Sequence, residues 1–434
     1  MPFTDQDCRR CRDDFPSLRR TVDHLGEARP VAFLDGPAGT QVPRRVIDAI
    51  GDYYRTSNAN THGRFVTSAE TDRVLHAARE AVAALLGASD GRTISFGANM
   101  TSLAFSLAHA LVRTWEPGDE VVITALDHEA NRGPWLMLRE RGIVVREAAV
   151  TAGGALDLDD LERQLGPRTR LVAVGWASNA LGTVNDVARI RALAGERSGG
   201  RARLLVDAVH YAPHFPIDVA ALDPDFLLCS AYKFYGPHVG LLYCRPGLLD
   251  ALPTDKLIPQ EDAAPYRIET GTLNHAAIAG VTAAIEYLAS WGTGPDLRAR
   301  LVSAMEGIAA YEHGLARRYW EQVREIPGVT VRGPGFDGSE GARPGFSGGP
   351  RRTPTVSITV EETTPARLAE ALGARGIFVW DGDFYAVRLI EVLGLAERGG
   401  VLRTGVSMYN TAEEIDRLVQ GIRELSPRAA GASA

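Results

Sequence analysis

One stretch concentrates the residues that could do chemistry together: LLVDAVHYAPHFPIDVAALDPDFLLCSAYKFYGPHVGLLYC, residues 204–244. A strand-like run ends at Asp207, a second ends at Ser230, and Lys233 follows in the next loop. In open α/β sheets, ligands bind outside the carboxyl ends of strands, which is where both residues fall. An aspartate can ion-pair a pyridinium nitrogen and a lysine can form a Schiff base. Together they are the minimal protein equipment for pyridoxal 5′-phosphate (PLP). The lysine would hold the cofactor and then act as the base at Cα of an amino acid. The chain has 47 lysines and arginines, yet its only lysines are Lys233 and Lys256, so amine chemistry has few candidates. Taken alone, the pair is equally compatible with a strand-end carboxylate and a surface lysine that meet nothing.

Positioning such a pair requires a sheet. Strand-like runs recur at 93–96, 120–124, 143–148, 170–176, 203–209, 225–230 and 240–244, and most are continuously apolar. That pattern suits strands buried on both faces of a mainly parallel sheet. Helix candidates such as 70–87 and 158–166 lie between them, giving a βαβ rhythm and an α/β fold. A long helix is predicted over 295–324, followed by a Gly- and Pro-loaded loop at 331–354. A second, smaller α/β unit follows: strand 355–360, helix 364–376, strand 377–380, strand 402–409 and helix 411–425. Thr411 and Glu414 form a capping box for the last helix. The expected division is an N-terminal segment 1–30 packing with the small unit, a large domain 31–294, a small domain 295–425 and a disordered tail 426–434.

Composition narrows the function classes. With 45% hydrophobic and 23% charged residues, the 434-residue chain reads as an ordinary globular protein. Its net charge of −7 and the absence of a basic patch argue against nucleic-acid and anionic-membrane partners. No run is long and apolar enough for a transmembrane helix, and the charged start MPFTDQDCRRCRDDF is no secretory signal, so a cytoplasmic location is expected. Four cysteines exclude a disulfide scaffold. Cys8 and Cys11 make a single CxxC without partners for zinc and read as surface-proximal thiols, so no metal is expected. Cys229 and Cys244 read as small core residues.

In the order of its motifs, the chain resembles the class V aminotransferase and cysteine desulfurase family of fold-type I PLP enzymes over roughly residues 30–425. The cysteine desulfurase-like branch is the nearer likeness. LDHEANRGPW (126–135) is similar to the segment whose histidine stacks on the pyridine ring, which implies His128 in that role. ASNALGTVND (177–186) implies Asn179 near the ring oxygen. SFGANMTSLAF (95–105) is similar to the phosphate cup, with the backbone amides of Ala98 and Asn99 at a helix N-terminus. SAYK (230–233) implies Ser230 on the phosphate, with Tyr232 where a histidine is usual. DAVH (207–210) places His210 where a glutamine is common. ETGTLNH (269–275) implies that Thr272 reaches a neighbouring subunit's phosphate, hence a homodimer with shared sites. LRTGVSMYNT (402–411) implies Arg403 as the fork for the substrate α-carboxylate. FLDGPAGTQVP (33–43) and NANTHGRFVTSAET (58–71) imply Ala38 and His62 on the substrate side.

The resemblance fails at one place that matters. Desulfurases need a mobile cysteine that takes sulfur as a persulfide, in a segment of the form GIxVRTGHHCA. Here the stretch is GIFVWDGDFYA (376–386): Tyr385 stands at the cysteine position and Trp380 at the arginine. No cysteine follows Cys244. The expected chemistry is therefore elimination of a sulfur substituent from Cβ of a cysteine-derived amino acid, with Tyr385, His62 or Asp383 as the acid. Trp380, Phe384 and Tyr385 form an aromatic pocket wall or, alternatively, core packing. Transamination, epimerisation and decarboxylation are the alternative outcomes, followed by true desulfuration. A silent PLP-fold binding protein is the non-enzymatic alternative.

Overall fold

The computed structural model describes residues 2–336 and 352–426. Most of the Gly- and Pro-rich loop predicted at 331–354, and nearly all of the tail predicted at 426–434, lie outside the described residues. At the centre is a seven-stranded sheet: β1 (Ile94–Gly97), β2 (Glu120–Thr124), β3 (Val144–Ala148), β4 (Thr169–Gly175), β5 (Arg203–Asp207), β6 (Phe226–Ser230) and β7 (Gly240–Cys244). Its spatial order is β1-β7-β6-β5-β4-β2-β3. The β6-β5-β4-β2-β3 run is parallel, and β7 is antiparallel to both β1 and β6. The central strands β2, β6 and β7 are buried at every residue, as their unbroken apolar runs require. Edge strand β3 alternates instead. This directionality brings Gly97, Thr124, Gly175, Asp207, Ser230 and the start of β7 to one edge of the sheet.

A four-stranded antiparallel sheet forms the second layer: β8 (Val329–Arg332), β9 (Thr355–Val360), β10 (Trp380–Gly382) and β11 (Val401–Gly405), ordered β8-β9-β11-β10. Its core, which includes Val356, Ile358, Leu402, Leu418 and Ile422, packs under the helices Leu297–Val323 and Ala412–Leu425. Thr411 and Glu414 close the anticipated capping box.

Three local expectations are corrected. The strand predicted at 377–380 is split. Ile377–Phe378 pairs in parallel with Ala32–Phe33, and only from Trp380 does the chain join β11. The backbone groups of Gly376 and Phe378 are claimed by Ala32 and Leu34, so the segment changes partner midway. The strand predicted at 402–409 ends at Gly405. Cys8 and Cys11 are not surface-proximal: both are fully buried on the helix Asp5–Arg12. Their thiols donate to backbone oxygens, Cys8 to Asn410 and Cys11 to Met408. The helix's charged face points outward, and Arg12 pairs with Glu414 at 2.9 Å.

Candidate active site

A cleft opens at the carboxyl edge of the large sheet. Lys233 sits in the single turn after β6, and its Nζ donates to the carbonyl oxygens of Pro37 and, at 3.1 Å, Ala38. Asp207 ends β5 beside it, with Oδ1 accepting from the Val209 amide at 2.9 Å. Burial raises the Asp207 pKa to about 6, and the Lys233 charge opposes the rise. Burial lowers Lys233 to about 7, helped by Arg403 and opposed by Asp207 and Asp35. The amine is thus prepared to be neutral near physiological pH.

His128, Asn179, His210, Ser230, Tyr232 and Asn99 line the same cleft as Asp207 and Lys233. His128 follows β2. Its Nδ1 accepts from the Ala130 amide at 3.0 Å, so the neutral ring carries its proton on Nε2. Burial and the nearby Lys233 and Arg403 charges push its pKa down to about 4, leaving a neutral face suited to stacking. Ser230 Oγ accepts from the Met100 amide at 3.2 Å, which ties the end of β6 to the first turn of the helix Met100–Val112. Gly240 permits that approach: a Cβ there would stand 2.3 Å from the Asn99 carbonyl carbon. The Asn99 side chain caps its own helix through the Ser102 amide at 2.9 Å, leaving its backbone to face the cleft. Tyr232 stacks on His238 with centroids 4.6 Å apart. His210 is buried, with Nε2 3.1 and 3.0 Å from the hydroxyls of Thr353 and Thr355.

Arg403 reaches the mouth of the cleft from β11. It is buried, donates from Nη1 to the Asn179 carbonyl at 3.0 Å, and lies 3.9 Å from the Phe384 ring centroid. Trp380 is its cross-strand neighbour. Tyr385 is 71% exposed, and its ring lies 5.5 Å from that of His128. The loop carrying it is pinned at several points. Glu129 N donates to Tyr385 O at 2.7 Å, Asn179 Nδ2 donates to Phe384 O at 2.9 Å, and Arg388 pairs with Glu147 at 2.9 Å. Phe384 and Tyr385 both adopt left-handed backbone, with φ of 57° and 59°. That conformation is strained for such side chains and persists only where the surroundings enforce it.

Other residues singled out in the sequence do not gather here within one chain. Ala98 and Thr272 line a neighbouring cavity with Ser102 and His238. His62 is exposed, with Nδ1 3.5 Å from Asp72 Oδ1. Two carboxylates escaped the sequence reading. Asp127 is fully buried and accepts from the Gly175 amide at 2.8 Å and Asn131 Nδ2 at 3.1 Å. Burial and the neighbouring Asp207 raise its pKa to about 7. Asp35 stands near both Arg403 and Lys233. Asp35 and Asp127 follow closely on the strands Ala32–Phe33 and Glu120–Thr124, inside the segments FLDGPAGTQVP and LDHEANRGPW, which is the signal that could have found them.

The family assignment agrees with this geometry. The aminotransferase class-V family model matches residues 32–418, and the chain belongs to that family of PLP-dependent enzymes. Among its relatives, the cysteine desulfurase of Enterobacter sp. (strain 638) is 34% identical over 95% of this chain and 97% of its own length. That of Pectobacterium atrosepticum is 32% identical over 96% and 97%. The chain spans 58% of the length of a probable cysteine desulfurase from Mycolicibacterium paratuberculosis, at 33% identity over 96% of this chain. Among solved structures, the apo cysteine desulfurase of Thermococcus onnurineus NA1 superposes with a TM-score of 0.81 at 26% identity, covering 96% of this chain and 97% of that one. No helix among the described residues is long and apolar enough to cross a membrane.

The residues present fit PLP. Asp207 is a buried carboxylate suited to a pyridinium partner, and the helix after Asn99 offers first-turn amides. One prediction follows for the protein without cofactor. Ionised Asp207 is disfavoured by burial above its folded pKa of about 6, and the penalty vanishes below its unfolded value of about 3.9. Asp207→Asn should therefore stabilise the apoprotein by about 1–3 kcal/mol near pH 8 in urea unfolding, a gain lost by about pH 4. The same change should weaken cofactor retention at least about tenfold. A loss of apoprotein stability at pH 8 would contradict this account of the carboxylate.

Proposed function

We propose that the protein cleaves the Cβ–S bond of an S-substituted L-cysteine by β-elimination, releasing the thiol and, after hydrolysis, pyruvate and ammonia. The observation that carries this reading is Tyr385. It occupies the position where the resemblance expects a persulfide-forming cysteine, on a pinned loop with its ring beside His128. All four cysteines are buried, and burial pushes the thiols of Cys229 and Cys244 up, away from the reactive thiolate.

In this reading Asp207 would hold the cofactor's ring nitrogen, His128 its face, Asn179 its ring oxygen, and Ser230 with the amides beside Asn99 its phosphate. When bound, PLP supplies the electron sink that makes a Cα proton removable. Arg403 orients the substrate by its carboxylate, so that the Cα–H bond faces Lys233. Lys233 Nζ takes the Cα proton, and burial that keeps the amine neutral keeps it available. The Cβ–S bonding electrons leave on sulfur, and the Tyr385 hydroxyl donates the proton that completes the thiol. Thr272 and Ala98, set apart from Lys233 here, belong to the shared site of a cytoplasmic homodimer. Exposed Tyr54 beside Thr272 and Leu273, and exposed Leu257 and Ile258, support such a contact.

The Tyr385 role has a leaving-group signature. Tyr385→Phe should slow pyruvate release from S-alkyl cysteines about 10- to 100-fold and leave S-(nitroaryl)cysteines, whose thiolates depart unaided, nearly unchanged. Equal slowing of both substrates would remove Tyr385 as the acid.

A further inference from the structure

Backbone contacts hold Asp35 between the strand that carries Arg403 and the turn that receives Lys233. It forms a parallel bridge with Gly405, two residues beyond Arg403, and Gly405 N donates to Leu34 O at 2.9 Å. It also opens a turn, closed by Ala38 N to Asp35 O at 2.8 Å, whose Pro37 and Ala38 carbonyls receive Lys233. Among the described residues its Oδ1 is buried without a hydrogen-bond partner, as are Arg403 Nε and Asn179 Oδ1. Unsatisfied buried atoms of opposite sign around one cleft are costly unless a ligand completes them. The titratable groups whose charges couple to Asp35 are Arg403, Lys233 and Tyr409.

An amino acid arrives as a zwitterion, and its ammonium carries one proton too many to act as a nucleophile. We propose that Asp35 receives this α-ammonium and takes its proton, while Arg403 holds the carboxylate; this rests on the Arg403 reading above. One ammonium N–H bond breaks, its electron pair stays on nitrogen, and the Asp35 carboxylate becomes the neutral acid. Burial strengthens Asp35 as a proton acceptor. Burial raises Asp35 to about 6, and the same surroundings lower the amine of Lys233 to about 7.

The test uses the holoenzyme with L-alanine, which has no leaving group, and with propionate, which has no amine. Alanine uptake is followed by the bound cofactor's absorbance and propionate by competition. Asp35→Asn should weaken alanine at least about tenfold while propionate binds equally or more tightly, because a like charge near Arg403 is gone. A merely structural aspartate would weaken both ligands, and an uninvolved one neither; either result overturns the proposal. If the variant does not retain cofactor, the unmodified holoenzyme decides. Between about pH 8 and pH 5, neutralising Asp35 should weaken alanine and tighten propionate. Parallel trends for the two ligands overturn the proposal. If Arg403→Leu leaves propionate binding unchanged, the Arg403 reading has failed instead, and with it this inference.

Discussion

Replacing Lys233 by alanine should lower turnover at least about 10⁴-fold, because one change removes both the covalent anchor and the proton acceptor. No other lysine can substitute. Lys256, the only other one, is tied to Asp262 at 3.2 Å and to the Gln260 carbonyl at 3.0 Å. The fold should not suffer in proportion. Lys233 is a buried amine whose charge the site disfavours, so truncation relieves a penalty while forfeiting two hydrogen bonds to the Pro37–Ala38 turn. The expected result is an inactive protein that unfolds within about 1 kcal/mol of the parent apoprotein. A small primary amine should restore a measurable fraction of turnover. Activity within tenfold of the parent would mean that Lys233 is not the base.

The second large effect belongs to Arg403. Its guanidinium is buried at the cleft mouth, with Nη1 on Asn179, Nε unpartnered among the described residues and Phe384 against its face. A carboxylate seated there forms a fork that a lysine cannot reproduce. Removing one partner of a buried charge pair costs about 2–5 kcal/mol, so Arg403→Ala should reduce kcat/KM about 30- to 5,000-fold. Arg403→Lys should recover little of the loss. The control is the same substrate as its methyl ester, which has no carboxylate and should be indifferent to the change. Equal losses for acid and ester would assign Arg403 to packing.

What the sequence made legible, and what it hid, divide along the range of the interactions. Continuous apolar runs marked β2, β6 and β7 because a strand buried on both faces needs little else. The positions of Asp207 and Ser230–Lys233 followed because they terminate such runs. Motif likeness supplied His128, Asn179 and Arg403, each of which the fold carries to the cleft or its mouth. Asp35 stayed hidden because its significance lies in Arg403 and Lys233, both remote in sequence. Asp127 stayed hidden for the same reason: its partners are Gly175 and Asp207. The burial of Cys8 and Cys11 depends on carbonyl oxygens at Met408 and Asn410, nearly the whole chain away. The partner change between Phe378 and Trp380 likewise depends on Ala32 and Leu34. The left-handed backbone at Phe384 and Tyr385 has no glycine to announce it; contacts from Glu129 and Asn179 impose it.

The central claim, a lyase of the class V fold that works without a persulfide cysteine, is tested most directly by product analysis. Purified holoenzyme is mixed with an S-alkyl L-cysteine, and separately with L-cysteine, without any keto acid. Pyruvate, alanine and the cofactor's absorbance are followed together. The account predicts many equivalents of pyruvate per subunit from the S-alkyl substrate, with the cofactor spectrum recovering at the end. Alanine from L-cysteine, with sulfur left on a protein thiol, would contradict it in favour of desulfuration. A single stoichiometric bleaching of the cofactor without pyruvate would contradict it in favour of transamination.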